Sequence, residues 1–414
     1  MKLQKQSTVI LSILLLVTSA QADGFRNPPD TAAAVGEAGK VVAWVNDASA
    51  VFFNPANLAD ITNRQFLISS TIGYGQTKFR SLTGATTETT RPWFDLPSMA
   101  MAWPLQDDLV FGIGLNVPFG RQSCWDKNGF FRDLTPVYTS MMVVDLNPSL
   151  AWRISDQVSV GAGLDIYYGR LQFNQYIPWG AMPLGAGEGL ARGTADGWAV
   201  GANAGITWRL TPDQRIALTC RAPFNLHFTG DMTVLGGTPP PYLASAVASS
   251  SSAATTFQFP TIVALAYGLK VTETLKLEAD AEWLQYSRFK RMNINAGANT
   301  FLSSALSAPT DWNNTWTCGL GASWQFATQW TLRGGYEYLV SPSPNRTFAP
   351  SILDNSQSLV AFGLGWRNGP NAVDLGAAIG IFGGRTVRND QIAAYNGDYD
   401  FSATVVSLTY TRDF

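Results

Sequence analysis

Leu275-Lys276-Leu277-Glu278-Ala279-Asp280-Ala281-Glu282-Trp283 sets apolar residues at the odd positions and charged residues at the even ones. Side chains alternate between the two faces of a strand, so this stretch read as β has one apolar face and one ionic face. The same period of two recurs from Val158 to Ile166 and from Val373 to Ile379, each time beside a short polar turn. Dyad strands in series are the pattern of a membrane barrel, with a lipid face and a lumen face. A secreted soluble β-sandwich is the competing architecture.

The rest of the chain bears on that choice. Met1 to Ala22 read as a secretory signal: Lys2 and Lys5, an apolar core from Val9 to Val17, and Ala20-Gln21-Ala22 as the cleavage site. The mature chain then begins near Asp23. Two of the 28 basic residues leave with the signal, so 26 face 30 acidic ones, a net charge of about −4. That balance, with no basic patch, argues against a nucleic-acid partner. Beyond the signal, no apolar run reaches the roughly 18 to 20 residues of a membrane helix, so insertion into a bilayer requires a closed barrel. Low charge (14%), high aromatic content (12%) and 38 glycines fit that reading. Three cysteines cannot all pair internally. Strand parity puts Cys220, with Ile216, Leu218 and Phe224, and Cys318, with Trp316, Leu320 and Trp324, on outward rows as small lipid-facing residues. Cys124 falls in a loop.

Connections sort into two classes. Short polar turns fall at 106–108, 155–157, 211–214, 272–274, 327–329 and 368–371, and long loops near 78–92, 120–138, 173–193, 231–255, 297–310, 342–354 and 387–397. Six turns alternating with seven loops give about fourteen strands, all-β and antiparallel, with short turns on one side and long loops on the other, as in outer-membrane barrels. Trp103, Trp152, Trp208, Trp330 and Trp366 lie near the short turns, where an indole suits the headgroup level; ordinary core tryptophan is the alternative. Val406, Leu408, Tyr410 and Phe414 share one face of the last strand, with Arg412 interrupting the row. This ending resembles the signal read by the outer-membrane assembly machinery.

Residues 23–63 precede the first strand and form the expected hatch (plug), ahead of a barrel over 64–414. Thr31 to Ala38 is a short helix candidate in this segment. A barrel this wide has an open or plugged lumen, so the hatch is expected to sit inside it, a periplasmic tail being the alternative. Gly36 and Ala38, Asp47-Ala48-Ser49, Asn54-Pro55-Ala56 and Leu58 resemble the amino-terminal hatch of the FadL family of outer-membrane transporters. The resemblance continues through Leu109–Gly120, Asp145–Trp152, Ala281–Ile294, Asp311–Tyr338 and Tyr395–Phe414, nearly the whole mature chain. It implies a monomeric fourteen-stranded barrel with an inserted hatch and passive uptake of long-chain fatty acids or hydrocarbons. It also implies a route: capture by outer loops, an interior site, and sideways exit at an inward kink of the third strand.

Particular residues can support each part. The third strand has Phe111, Ile113, Leu115 and Val117 outward by parity. Its lumen row is Gly112, Gly114, Asn116, Pro118 and Gly120, with little bulk and one missing ladder donor. Such a strand bends easily, and backbone groups freed by a kink need partners from the hatch or water; the glycines could equally make room for the hatch. Phe173, Ile177, Trp179, Met182 and Leu184 in one loop, and Leu235, Tyr242 and Leu243 in another, are candidate substrate-capture residues. Mutual packing of the two loops is the alternative. Arg333 is a candidate contact for a carboxylate headgroup, against cross-lumen salt bridges. Asn54, Pro55 and Ala56 form the hatch turn expected to seal the pore.

No G-x-S-x-G, P-loop, G-x-G-x-x-G, C-x-x-C or H-E-x-x-H motif occurs, and the single histidine, His227, sits on an inward row by parity with no evident nucleophile. Neither enzymatic activity nor a cofactor or metal is expected. The expected partners are outer-membrane lipid and a hydrophobic small molecule. A general diffusion porin and a barrel-anchored adhesin or receptor are the competing functions.

Overall fold

The computed structural model describes residues 24–414; the expected signal segment lies outside the described residues. Fourteen antiparallel strands form a closed barrel. They are β1 Gln65–Ser81, β2 Trp93–Gln106, β3 Leu109–Cys124, β4 Tyr138–Arg153, β5 Val158–Ile177 and β6 Gly189–Thr211. Next come β7, in two pieces (Gln214–Arg221 and Asn225–Leu235), and β8, likewise split (Ser250–Gln258 and Ile262–Lys270). The circuit ends with β9 Leu275–Leu284, β10 Thr315–Ala327, β11 Trp330–Leu339, β12 Gln357–Asn368, β13 Asn371–Phe382 and β14 Gly397–Asp413. β14 pairs with β1 from Gln65 opposite Asp413 to Ser81 opposite Gly397, which closes the ring. Closure pairs the first strand with the last, so neither end of the sheet is left as an open edge.

All six short turns fall between strands, and β9 is the stretch that revealed the fold. Glu278, Asp280 and Glu282 are buried inside, while Leu277 and Ala279 face out. Trp103, Trp152, Trp208, Trp330 and Trp366 are exposed or half-buried at the short-turn end, as a headgroup-level girdle requires. Cys220 and Cys318 are exposed on the outer face. The outer loops are more structured than their composition indicates: the segment from 285 to 314 is longer than the sequence-based loop and contains the helix Thr300–Leu306.

Inward rows of glycine make room for residues 24–63. Helix α1 (Ala32–Gly36) is capped by Thr31, whose Oγ1 accepts from the Ala34 amide. It ends earlier than the expected Ala38, which adopts a left-handed φ of 52°. A Cβ on Gly363 of β12 would stand 3.1 Å from the Gly36 Cα, so helix and wall meet backbone to backbone. Helix α2 (Ala50–Phe53) and a 3₁₀ turn over Pro55–Asp60 follow. Val51 and Leu58 pack on the site where a Cβ of Gly112 would be, so the bare inner face of β3 seats the hatch.

Ions pin this segment to the wall. The Lys40 Nζ lies 2.8 Å from Asp280 of β9 and 2.7 Å from Glu337 of β11, at 1% side-chain exposure. Asp60 accepts from three arginines: Arg153 at 3.2 Å, Arg215 at 3.0 Å, and Arg209. A carboxylate or ammonium taken from water must be paired or it costs several kcal/mol. Replacing Lys40 by alanine leaves two buried carboxylates without their cation. The expected loss is about 3–5 kcal/mol, read as a lowered urea midpoint in detergent micelles, whereas an unchanged midpoint would show that the pin carries no stability.

Candidate functional site: an interior route and a window in the wall

β3 changes partner halfway up. Below, it pairs with β2 as far as Leu115 opposite Met99. Above, β2 residues 93–98 pair only with β1 among the described residues, while β3 stays with β4 through a bulge between Asn116 and Phe119. The bulge sets Val117 and Pro118 against the single residue Val144. One extra residue inverts the side-chain parity. Val117, expected outward, is buried against Phe94, Leu96 and Val405, and Phe119 also turns inside.

The hatch supplies the partner that β2 withholds. Arg26 bridges Phe119 in antiparallel fashion, the Asn27 amide donates to the Pro118 carbonyl at 3.0 Å, and the Gly120 amide donates to the Phe25 carbonyl at 2.8 Å. The Asn27 side-chain Nδ2 adds a bond to the Val117 carbonyl at 2.8 Å. The wall closes again higher up, where Thr89 bridges Trp125 and the Thr90 amide donates to the Cys124 carbonyl at 2.7 Å. Between those points the β2–β3 ladder is interrupted, and this unpaired window in the hydrogen bonding has β2 on one side and the displaced β3 with its hatch strand on the other. Gly112, Gly114, Asn116 and Pro118 all lie at or below this displacement.

Two cavities flank the amino-terminal strand. The outer one, about 300 Å³, is chiefly apolar and lies under the long loops, with Phe173, Ile177 and Met182 on its wall. Phe257, Met292, Ile294, Phe301, Leu302 and Ile352 complete its apolar lining, and none of these was singled out in the sequence. Of the other expected capture residues, Trp179 is fully buried beside Phe301 (5.6 Å) and Leu243 packs into the same loop cluster, while Leu184, Leu235 and Tyr242 are exposed. The loop residues therefore divide between groove lining and packing of loop on loop. Arg132 clasps the two sides, donating from Nε to Glu188 at 2.7 Å and lying 3.9 Å over the Tyr176 ring. Burial pushes the Asp390 carboxyl, in the last outer loop, up to about 6 against the Arg385 charge.

The inner cavity, about 160 Å³, is bounded by the hatch, by Asn116, Pro118 and Phe119 of β3, and by Arg221 and Glu282. Phe25 stands between the two. Its ring sits in an aromatic box with Trp312 at 4.6 Å, Phe289 at 5.1 Å, Phe257 at 5.6 Å and Phe259 at 5.7 Å. Phe259 stacks on Phe224 at 4.5 Å, and Phe224 on Tyr167 at 3.8 Å. These rings point inward because β7 and β8 break at Ala222-Pro223-Phe224 and Phe259-Pro260-Thr261, which flips the parity of both strands. Phe224 is consequently inside and His227 outside, the reverse of their expected rows. A proline beside a phenylalanine in mid-strand was the available signal.

Asn54 and its neighbours are locked. Its Nδ2 donates to the Val42 carbonyl and to Thr207 of β6, both at 2.9 Å, while its Oδ1 caps the Ala56 amide at 3.1 Å. Pro55 opens the 3₁₀ turn, and Ala56 is fully buried. Arg333 is committed elsewhere than to a ligand: it pairs with Glu37 of the hatch at 3.2 Å and Asp374 of β13 at 2.7 Å. The cross-lumen ion pair replaces the headgroup reading because both carboxylates lie within reach of one guanidinium.

The family described as "Outer membrane protein transport protein (OMPP1/FadL/TodX)" matches residues 13–414. The chain belongs to this family. The long-chain fatty acid transport protein of Escherichia coli is 22% identical over 411 residues, 90% of each chain. A putative outer membrane protein of Neisseria meningitidis is 23% identical, covering 89% of this chain and 88% of the relative. Among solved structures, a Pseudomonas aeruginosa FadL homologue superimposes with a TM-score of 0.83 at 22% identity over 95% of this chain and all of the other. The Pseudomonas putida toluene transporter TodX does so at 0.73 and 16% identity, covering 96% and 99%. This member of the FadL family is thus an outer-membrane barrel that transports hydrophobic compounds.

Phe25 lines the outer groove, and its neighbour Phe259 lies 5.0 Å from Phe119 of the inner cavity. Phe25→Ala is expected to join the two spaces and change the uptake rate of an apolar probe such as decane several-fold, with ion conductance in planar bilayers unchanged. An unchanged uptake rate would show that other side chains close the passage.

Proposed function

We propose that the protein takes apolar small molecules from the outer groove past Phe25 into the inner cavity and releases them sideways through the window between β2 and β3. The observation that carries this reading is the partner exchange of β3. A strand that leaves its neighbour inside a bilayer must find new hydrogen-bond partners, and here the hatch provides them without filling the wall. On this reading the inner cavity, which Asn116, Pro118 and Phe119 line, empties toward lipid through that interruption of the ladder.

The axial route is the less favourable one. The buried Lys40–Glu337 pair lines the inner cavity, and the Asn54 turn and the Asp60 cluster lie beyond it, all polar and all fixed to the wall. An apolar molecule gains by remaining in apolar surroundings, at about 25 cal/mol per Å² of surface kept from water. Lateral release ends in hydrocarbon and spares the molecule the polar floor, with no energy input. The named cargoes of the relatives, long-chain fatty acids for one and toluene for the other, share this apolar character. The protein works as a channel without catalysis, and a single chain holds the whole route.

Deleting Pro118 tests the proposal. It removes the one extra residue of the bulge, restores the count against β4, and allows β3 to pair with β2 along its upper half. Uptake of an alkane such as decane by cells carrying the deletion is expected to fall at least about tenfold, with heat-modifiable migration confirming the folded barrel. Undiminished uptake would exclude the window as the exit.

A further inference from the structure

The outward row of β2 reads Trp93, Asp95, Pro97, Met99, Met101 and Trp103. Asp95 is half-buried and flanked above by exposed Trp93 and below by exposed Met99, while Phe94, Leu96 and Ser98 between them point inside. It pairs in register with Ile72 of β1, and its Oδ1 accepts a 2.6 Å bond from Ser70 of the same strand. Tyr74 and Trp93, 5.2 Å apart, mark the aromatic girdle above this level. Among the described residues of β1, β2 and β14, no other carboxylate faces outward between that girdle and Trp103. No ion pair to Asp95 occurs among the described residues. An ionisable side chain on a lipid-facing row is costly, and it marks a functional position when it lies on a transport path.

Asp95 lies on such a path, on the β2 rim of the window, where β3 has withdrawn. We propose that Asp95 and Ser70 form a polar foothold at the lipid side of the window for cargo whose head group donates a hydrogen bond, such as an aliphatic alcohol or a phenol. A carboxylate accepts at about four lone-pair positions, and Ser70 uses one. In hydrocarbon only a donor can use the others. A hydroxyl emerging from the wall meets Asp95 before it enters acyl chains that cannot bond to it, so its desolvation is spread over two steps. An alkane has nothing to offer Asp95, and a carboxylate anion is repelled. The foothold therefore favours neutral donor-bearing cargo over anionic cargo at the exit.

This inference rests on lateral release, and the test separates the two. Uptake of 1-decanol and decane is compared in cells carrying the wild-type protein, Asp95→Ala, Asp95→Asn or the Pro118 deletion. Asp95→Ala is expected to slow decanol at least about tenfold, the size of one charge-assisted hydrogen bond, with decane unchanged. Asp95→Asn keeps the shape and an acceptor oxygen and is expected to fall between. Equal loss of both cargoes would show that Asp95 only supports the strand, and no loss of either would show that it is idle; each overturns the foothold. Decane uptake that survives the Pro118 deletion overturns lateral release itself, whatever Asp95 does.

Discussion

Within a bilayer no backbone amide or carbonyl can be left without a partner, and the partner exchange of β3 answers that constraint. By giving up β2 above Leu115 and taking Phe25, Arg26 and Asn27 instead, β3 moves into the lumen with its ladder bonds still made. Pro118 suits the exchange because it has no amide to satisfy on the bulged side. The β2–β3 ladder is thus interrupted, and the hatch strand becomes part of the wall's own bonding.

The hatch must therefore be held to within a hydrogen-bond length, and its charges do this unevenly. From Glu37 to Asp60 it is fixed by Arg333, by Asp280 and Glu337 on Lys40, and by three arginines on Asp60. The first few described residues are held mainly by hydrogen bonds and rings: the bonds of Phe25 and Asn27 to β3, the Gly24 amide on Asp354 at 3.2 Å and the aromatic box around Phe25, with the Arg26 pair to Glu282 as their ion pair.

Much of this architecture was legible in residue order. The dyads of β9 and β13 and the six polar turns depend only on local periodicity, so they gave the barrel and its strand number. The bare face of Gly112 and Gly114 pointed to a soft strand. What escaped was set by partners distant in sequence. Parity carried through Val117 and Phe224 went wrong because a single extra residue or a proline break inverts a whole row. Arg333 looked available for a ligand because Glu37 and Asp374 lie 296 and 41 positions away. The box around Phe25 draws on β8 and the loop after β9, and no local pattern announces such a convergence.

That convergence also ties the two ends of the route together. Phe119 of the bulge lies 5.0 Å from Phe259 and 5.8 Å from Phe224, and Phe259 in turn touches Phe25. Phe25 thus contributes twice: its ring lines the outer groove, and its carbonyl holds Gly120 of the displaced strand. A molecule that displaces the ring from its box draws on the same three-residue strand that completes β3. Aromatic contacts of this kind contribute about 0.5–1.5 kcal/mol each beyond burial, so several must be exchanged for contacts with cargo before the strand shifts. An apolar molecule large enough to fill the box can make that exchange, whereas water cannot, so on the proposed route the box discriminates between apolar cargo and water.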